Sequence, residues 1–450
     1  QNHLIDGDDN ADGGIYIEYT HGHVIKNCQL TDWDWPGNIY LTNAKYNTLE
    51  NIITKSSRGQ GIYLSSSSFN TLINITTQNN NYKGIRLDSS SSNILTNIIA
   101  NSNSGEGIYF SSSSSNTLTN ITASNNHGNG ISLLSSSSNT LTNITANNNY
   151  HHGVYLSSSS SNTLTNIIAN SNNNYYGIYL DSSSSNILTN ITANSNSRDG
   201  IYLISSSSNI IANSTIKYNN RYGIYLYSSD DNNITSTIIT FNPQGIYFNG
   251  NSDNNIFKNN TILKNKINNI RITSSDNNNL FYNNLLSSKY KISDASSTTK
   301  WNYTNIGNHW LDYDAEHEGC YDTNNDNICD NPYAINDKYD YYPIYTGTPQ
   351  KTFTCSSCSE CTSIIQNNAT PNDIVQLTVD ITDSTTSKCI YFDPYTYPEI
   401  TFDCQNHLID GDDNVDYGIY IDYTQGITIK NCQLTDWDSA NIYLTNAKYN

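Results

Sequence analysis

Residues Gly107–Asn129 read GIYFSSSSSNTLTNITASNNHGN, and this order of residues returns along most of the chain. The leading glycine recurs as Gly61, Gly84, Gly107, Gly130, Gly153, Gly177, Gly200, Gly223 and Gly245, at steps of 22 to 24 residues. The series extends back through Asn38 to Gly14 and forward to Asn269, giving 12 rungs. In each rung the apolar residues alternate, as in Ile62/Leu64 and Ile108/Phe110, which is the pattern of a short strand with one buried face. A serine run follows, then Asn-Thr-Leu-Thr-Asn-Ile-Thr as at Asn116–Thr122 and Asn139–Thr145, then an Asn-rich corner. Strands this short, broken by Ser, Asn and Gly, exclude the helix pairs of an α-solenoid. The asparagine and leucine spacing is not that of a leucine-rich repeat. The pattern predicts an all-β parallel β-helix with about 23 residues per coil, its strands stacked at about 4.8 Å, so that 12 rungs form a rod of roughly 58 Å.

Composition agrees once the spacing is known. Only 36% of the 450 residues are hydrophobic, a level that would suggest disorder were the apolar residues scattered. The formal charge of −19 disfavours nucleic acid and anionic lipid as partners. There is no run of about 18 apolar residues, hence no expected membrane span. The absence of Met suggests a mature or internal piece of a longer secreted chain. Abundant Asn suggests a cool or moderate habitat. At the corners Asn tolerates left-handed backbone, and its amide can bond the coils above and below to form ladders. The glycine before each strand is expected to take positive φ or to allow a tight corner.

Gly-Ile-Tyr-Leu-(Ser)n-Asn-Thr-Leu-Thr-Asn resembles the repeats of NosD-like and pectate-lyase-like proteins, common among archaeal surface proteins. The resemblance implies a right-handed parallel β-helix over nearly the whole chain. It does not specify function, because such helices host lyases, epimerases, adhesins and filament subunits.

A longer repeat overlies the short one. Residues 1–34 and 405–438 differ at six positions only, an offset of 404. The expected organisation is a β-helix of about 12 coils over 1–295, a closing module over 296–347, a cysteine-containing cap of the next unit over 348–404, and the first coils of that unit over 405–450. Terminal coils are open sheet edges and need caps. A tandem or polymeric array follows, with copies of the chain itself as the first expected partner. Duplication without any role in assembly is the plainer alternative.

Nine cysteines are present, eight of them within one long period, and an even count argues for disulfides in an oxidising exterior. Cys404–Cys432 is expected to tie adjacent coils, and Cys320–Cys329 to clip the closing module. Cys389 is expected to pair with one of Cys355, Cys358 or Cys361. The partner of Cys28 would sit just before Gln1. Metal binding by Cys355, Cys358 and Cys361 is the alternative, but no second pair with zinc spacing follows.

Asp322, Asn324, Asp326, Ile328 (through its carbonyl) and Asp330 place oxygen ligands at alternate positions, as in a loop for Ca²⁺. Asn327 stands where glycine is usual and Tyr333 where glutamate is usual. The flanking Gly307-Asn-His-Trp310-Leu-Asp312-Tyr313, Asp330-Asn-Pro332-Tyr333 and Asp340-Tyr-Tyr-Pro343 resemble the closing module of NosD-like proteins, and that resemblance implies an acidic loop here. A structural Ca²⁺ is expected, against a metal-free polar turn. The Asp6-Gly-Asp8-Asp9 run reads as a solvated turn.

No catalytic constellation is evident. Arg86 and Arg271 lie eight rungs apart, Asp88 and Asp181 have no acidic neighbour one coil away, and His151-His152 reads as a solvated corner. Asp393-Pro394-Tyr395 lacks the histidine of the Asp-Pro-His signature it resembles in β-helix epimerases. Tyr63, Tyr109, Tyr155, Tyr179, Tyr202, Tyr225 and Tyr247 take the outward position between two buried aliphatics. They are expected to form a column that is either an interface or sugar-stacking surface, or a self-stacked stiffener. Glycosylation sequons occur at Asn74, Asn120, Asn143, Asn190, Asn213, Asn233, Asn259, Asn302 and Asn368. The leading expectation is a structural, adhesive subunit of an extracellular filament or surface layer. The hook-bearing filaments of altiarchaea are similar in style. The rival class is a carbohydrate-binding or lyase-type β-helix protein, with surface glycans as partners.

Overall fold

The computed structural model describes residues 3–7, 13–411 and 415–447. The chain is an all-β parallel β-solenoid of about 19 turns, with ~23 residues per turn and 4% helix. It divides into two compact units, residues 1–238 with 247–256, and residues 239–246 with 257–450.

In the first unit the Gly-Ile-x-Leu segments form a parallel ladder. Ile62, Ile85, Ile108, Ile131, Val154, Ile178 and Ile201 are direct partners on consecutive strands. Leu72, Leu95, Leu118, Leu141, Leu164 and Leu188 align in the same way in a second ladder. All these side chains are fully buried, and each such burial contributes about 1.5–3 kcal/mol. One corner is closed by a buried amide ladder running Asn70, Asn93, Asn116, Asn139, Asn162, Asn186, Asn209, Asn232. The backbone N–H of each donates to Oδ1 of the next at 2.8–2.9 Å, and Nδ2 donates to the same oxygen at 3.1–3.2 Å. Buried polar groups persist only when paired, so this column ties each coil to its neighbour in a single register.

Left-handed backbone does not fall on the strand glycines. Within one period it falls on Ser112 (φ 48), Ser115 (φ 57), Asn120 (φ 56) and Asn125 (φ 58). The glycines answer instead to crowding: a Cβ on Gly107 would lie 2.7 Å from the Gly130 carbonyl oxygen and 2.7 Å from Asn126 Nδ2.

In the second unit an aromatic column joins the aliphatic core of Ile262, Ile270 and Leu286. Phe257, Phe281, Trp301 and Trp310 stack with centroids 4.9, 4.7 and 5.8 Å apart. A separate amide ladder runs through Asn260, Asn284 and Asn308 and ends on Asp340, whose Oδ2 accepts from Asn308 N at 2.7 Å and Trp310 Nε1 at 2.9 Å. Burial pushes the Asp340 carboxyl up to about 6. An antiparallel pair, Tyr333–Ile335 with Lys338–Asp340, follows.

A further set of parallel coils begins at Thr352–Cys355, which pairs with Ile374–Leu377, then Thr401–Asp403, then Thr428–Lys430. Lys388–Phe392, Tyr417–Asp422 and Ala440–Thr445 form a companion ladder. The helix Cys358–Asn367 (α1) is N-capped by Ser357, whose hydroxyl accepts from Glu360 N at 3.3 Å. Its buried Cys361 and Ile365 share a core with Val375, Ile390 and Phe402.

Disulfides join Cys320–Cys329, Cys355–Cys361, Cys358–Cys389 and Cys404–Cys432. Of the three candidates for Cys389, the bond falls on Cys358. Because α1 starts at Cys358, Cys361 sits one turn in and returns over Cys355, with Cα atoms 5.1 Å apart, while Cys358 faces Cys389 at 4.5 Å. None of the three clustered thiols is left for a metal. Cys28 is a free thiol. Among the described residues no helix is long and apolar enough to cross a membrane.

Candidate functional site

The second unit holds a cleft of about 720 Å³ whose walls include Asn268, Lys289, Tyr290, Asn336, Tyr423 and Gln425. The short 3₁₀ turn Lys289–Lys291 forms one wall. It is fixed by Ser288, whose Oγ accepts from Tyr290 N at 3.3 Å, and by Tyr333, whose hydroxyl accepts from Lys289 N at 2.8 Å. Beneath it Lys291 is buried, and its Nζ donates to the carbonyls of Lys266 at 2.9 Å and Tyr423 at 3.3 Å. Loss of water pushes its ammonium down to about 8. Lys266 Nζ sits 4.5 Å above the Tyr423 ring. The lining offers phenol rings, side-chain amides and one ammonium, with no carboxylate and no imidazole. Phenol, amide and ammonium groups of this kind can donate to and accept from the hydroxyls of a small polar ligand.

The tyrosine column differs from its expected form. Tyr155, Tyr179, Tyr202, Tyr225 and Tyr247 stack face to face, with centroids 4.6–5.2 Å apart and planes within 14°. Tyr63 and Tyr109 stand apart from that run, because Arg86 and Ser132 occupy the intervening rungs. The Arg86 guanidinium lies 4.7 Å over the Tyr63 ring, and its Nε donates to Asp88 Oδ2 at 2.8 Å. Tyr225 is only 9% exposed. Within this run the ring faces meet one another. His152 is likewise corrected. It is buried against Tyr155, Tyr176 and Tyr179 and is not a solvated corner, and burial pushes its imidazole down to about 3.

In the acidic loop Asp322 accepts from Asp326 N at 3.1 Å and Asn327 N at 2.9 Å, and Asp326 accepts from Ile328 N at 2.9 Å. Asn324 Oδ1 also accepts from Asp326 N, and Asp330 Oδ2 accepts from Thr323 N, both at 3.1 Å. Asn327 takes the left-handed conformation (φ 64) that glycine usually supplies. Among the described residues no group of three or more His, Cys, Asp or Glu side chains is gathered as for a metal ion. The sequons Asn74, Asn120, Asn143, Asn190, Asn213, Asn259 and Asn368 are exposed, whereas Asn233 and Asn302 are half-buried. Asp8 and Asp9 lie outside the described residues.

Residues 13–166 and 129–286 match the family described as the right handed beta helix region, more than half of the chain. The chain belongs to that family. No curated protein matches it. Among solved structures this right-handed β-helix is similar to the A-module of the mannuronan C-5 epimerase AlgE6 of Azotobacter vinelandii, at 12% identity and TM-score 0.46, covering 64% of this chain and 91% of that one. It is also similar to the Dettilon tailspike protein, at 12% identity and TM-score 0.48, covering 63% of this chain and 64% of that one. These likenesses are of fold alone.

Two features of this right-handed β-helix escaped the sequence. The cleft draws on Tyr290 and Tyr423, far apart in the chain. The only hint was the duplication, in which Tyr423 corresponds to Tyr19. The tyrosine run is also thickened by Tyr176 and Tyr222, which pack on Tyr202 and Tyr225 from the preceding corner. Their spacing from the next Gly-Ile-Tyr, read with the same period, could have shown this.

Proposed function

We propose that this chain is an extracellular carbohydrate-binding protein, in which a rigid β-helix presents the cleft bounded by Tyr290 and Tyr423. The observation that carries this reading is the chemistry of that lining. Sugar rings offer C–H faces to aromatic rings and hydroxyls to amides, and Asn268, Asn336 and Gln425 flank the two tyrosines. Binding without cleavage is proposed, because glycoside hydrolysis needs two carboxylates about 5–10 Å apart and the cleft has none. An oxidising exterior is supported by the four disulfides. A structural Ca²⁺ at Asp322–Asp330 and glycans at the exposed sequons belong to the same reading. The test is affinity electrophoresis in gels carrying pectin, alginate and neutral polysaccharides. Retardation weakened at least tenfold in Tyr290→Ala and Tyr423→Ala, without new chain ends, supports it. Absence of retardation on any glycan, or cleavage of the polymer, overturns it.

A second reading is a structural subunit that assembles with copies of itself into a filament or surface layer. It is favoured by the near-identity of residues 405–438 to residues 1–34. Electron microscopy of native material separates the two, since regular fibres favour assembly and dispersed rods do not.

A further inference from the structure

The second unit buries a group of oxygens that neither the cleft nor the acidic loop uses. Asp312 is 7% exposed, and its Oδ2 accepts from the Tyr333 hydroxyl at 2.6 Å. Its Oδ1 is buried and has no hydrogen-bond partner. The Glu399 carboxyl stands within hydrogen-bonding reach of Asp312, and Ser288 Oγ lies 3.5 Å from Glu399 Oε2. These side chains border a cavity of about 390 Å³. Glu318 lies beside it with both oxygens engaged, by Asn372 Nδ2 at 2.9 Å and Asp314 N at 2.6 Å. Lys289 and His317 line the same cavity; the Lys289 ammonium favours the charged form of both carboxyls from a distance, and His317 pairs with Glu318.

We propose that Asp312 and Glu399, with the hydroxyls of Ser288 and Tyr333, hold a hard divalent cation such as Ca²⁺. Two adjoining carboxylates withdrawn from water cannot both stay ionised without a compensating positive charge. A cation between them supplies that charge and gives the lone Asp312 oxygen its partner. Ca²⁺ accepts six to eight oxygens of mixed kind, so two carboxylates, two hydroxyls and water in the cavity suffice without a third acidic ligand. The ion would tie the closing coils around Ser288–Tyr333 to the coils that begin at Thr352. Its affinity is expected on the order of 10⁻⁴ M, as in extracellular modules.

The test is titration of the whole chain with Ca²⁺ by calorimetry, and with Tb³⁺ by luminescence excited through tyrosine. The expected result is a saturable site that weakens at least tenfold in Glu399→Gln and in Asp312→Asn but persists in Asp326→Asn, which alters only the acidic loop. Both amide variants can hydrogen-bond across the pair, and their far-UV spectra check that the fold is kept. Chelation should also speed proteolysis within the exposed Thr346–Gln350 segment of the wild type and leave Glu399→Gln unchanged. Undiminished binding in both variants overturns the proposal. So does a wild-type signal that is abolished in Asp326→Asn, since binding would then run through the acidic loop alone.

Discussion

Asn139→Ala tests what holds neighbouring coils in register. Oδ1 of Asn139 accepts from Asn116 N at 2.8 Å and Asn116 Nδ2 at 3.1 Å, while its Nδ2 donates to Ser136 O at 3.0 Å and Asn162 Oδ1 at 3.1 Å. The site is 1% exposed, so water cannot substitute. Truncation strands the Asn116 backbone N–H, at about 1–3 kcal/mol, and removes three further bonds worth about 1 kcal/mol or less each, so the expected loss is about 3–5 kcal/mol. The control is Asn143→Gly. Asn143 sits in an exposed ladder, donating to Asn120 Oδ1 at 3.0 Å and accepting from Asn166 Nδ2 at 2.9 Å. Water replaces those bonds, and glycine adopts its φ of 56 without strain, so a loss below about 1 kcal/mol is expected. Urea unfolding followed by circular dichroism measures both, and hydrogen exchange at Asn116 detects opening confined to one coil. If Asn139→Ala and Asn143→Gly agree within about 1 kcal/mol, the buried ladder does not hold the register.

His152 should make stability fall with acid. Its pKa is depressed to about 3 in the fold, against about 6.5 when unfolded, so its contribution is complete above pH 6.5 and is lost as pH falls toward 3, by about 1.4 kcal/mol per pH unit at most. His152→Phe should flatten that limb in pH-resolved melts. Tyr202→Ala removes two stacked contacts, at 5.2 and 4.6 Å, and should cost about 1–3 kcal/mol beyond lost burial, whereas Tyr303→Ala on the exposed surface should cost little in the same melts. Replacing Cys358 and Cys389 together by serine opens a link spanning 31 residues and should lower stability by about 2–4 kcal/mol, read as earlier exchange in α1 and the coils beside it.

The sequence by itself determined the coil. A period near 23 decides which residues lie over one another, so the Ile and Leu columns, the Asn ladders and the linkage of Cys404 to Cys432 follow from spacing, since stacked parallel strands repeat one environment along the axis. Where the period stops, that inference stops with it. Only the tertiary structure decided that tyrosine faces meet each other and not solvent, because ring tilt depends on neighbours above, below and at the preceding corner. It alone paired Cys358 with Cys389, since the start of α1 determines which thiol turns inward. It alone brought Tyr290 to Tyr423 and Asp312 to Glu399, residues from the closing coils and the coils after them, because such contacts depend on how non-repeating segments pack and leave no periodic trace in the chain.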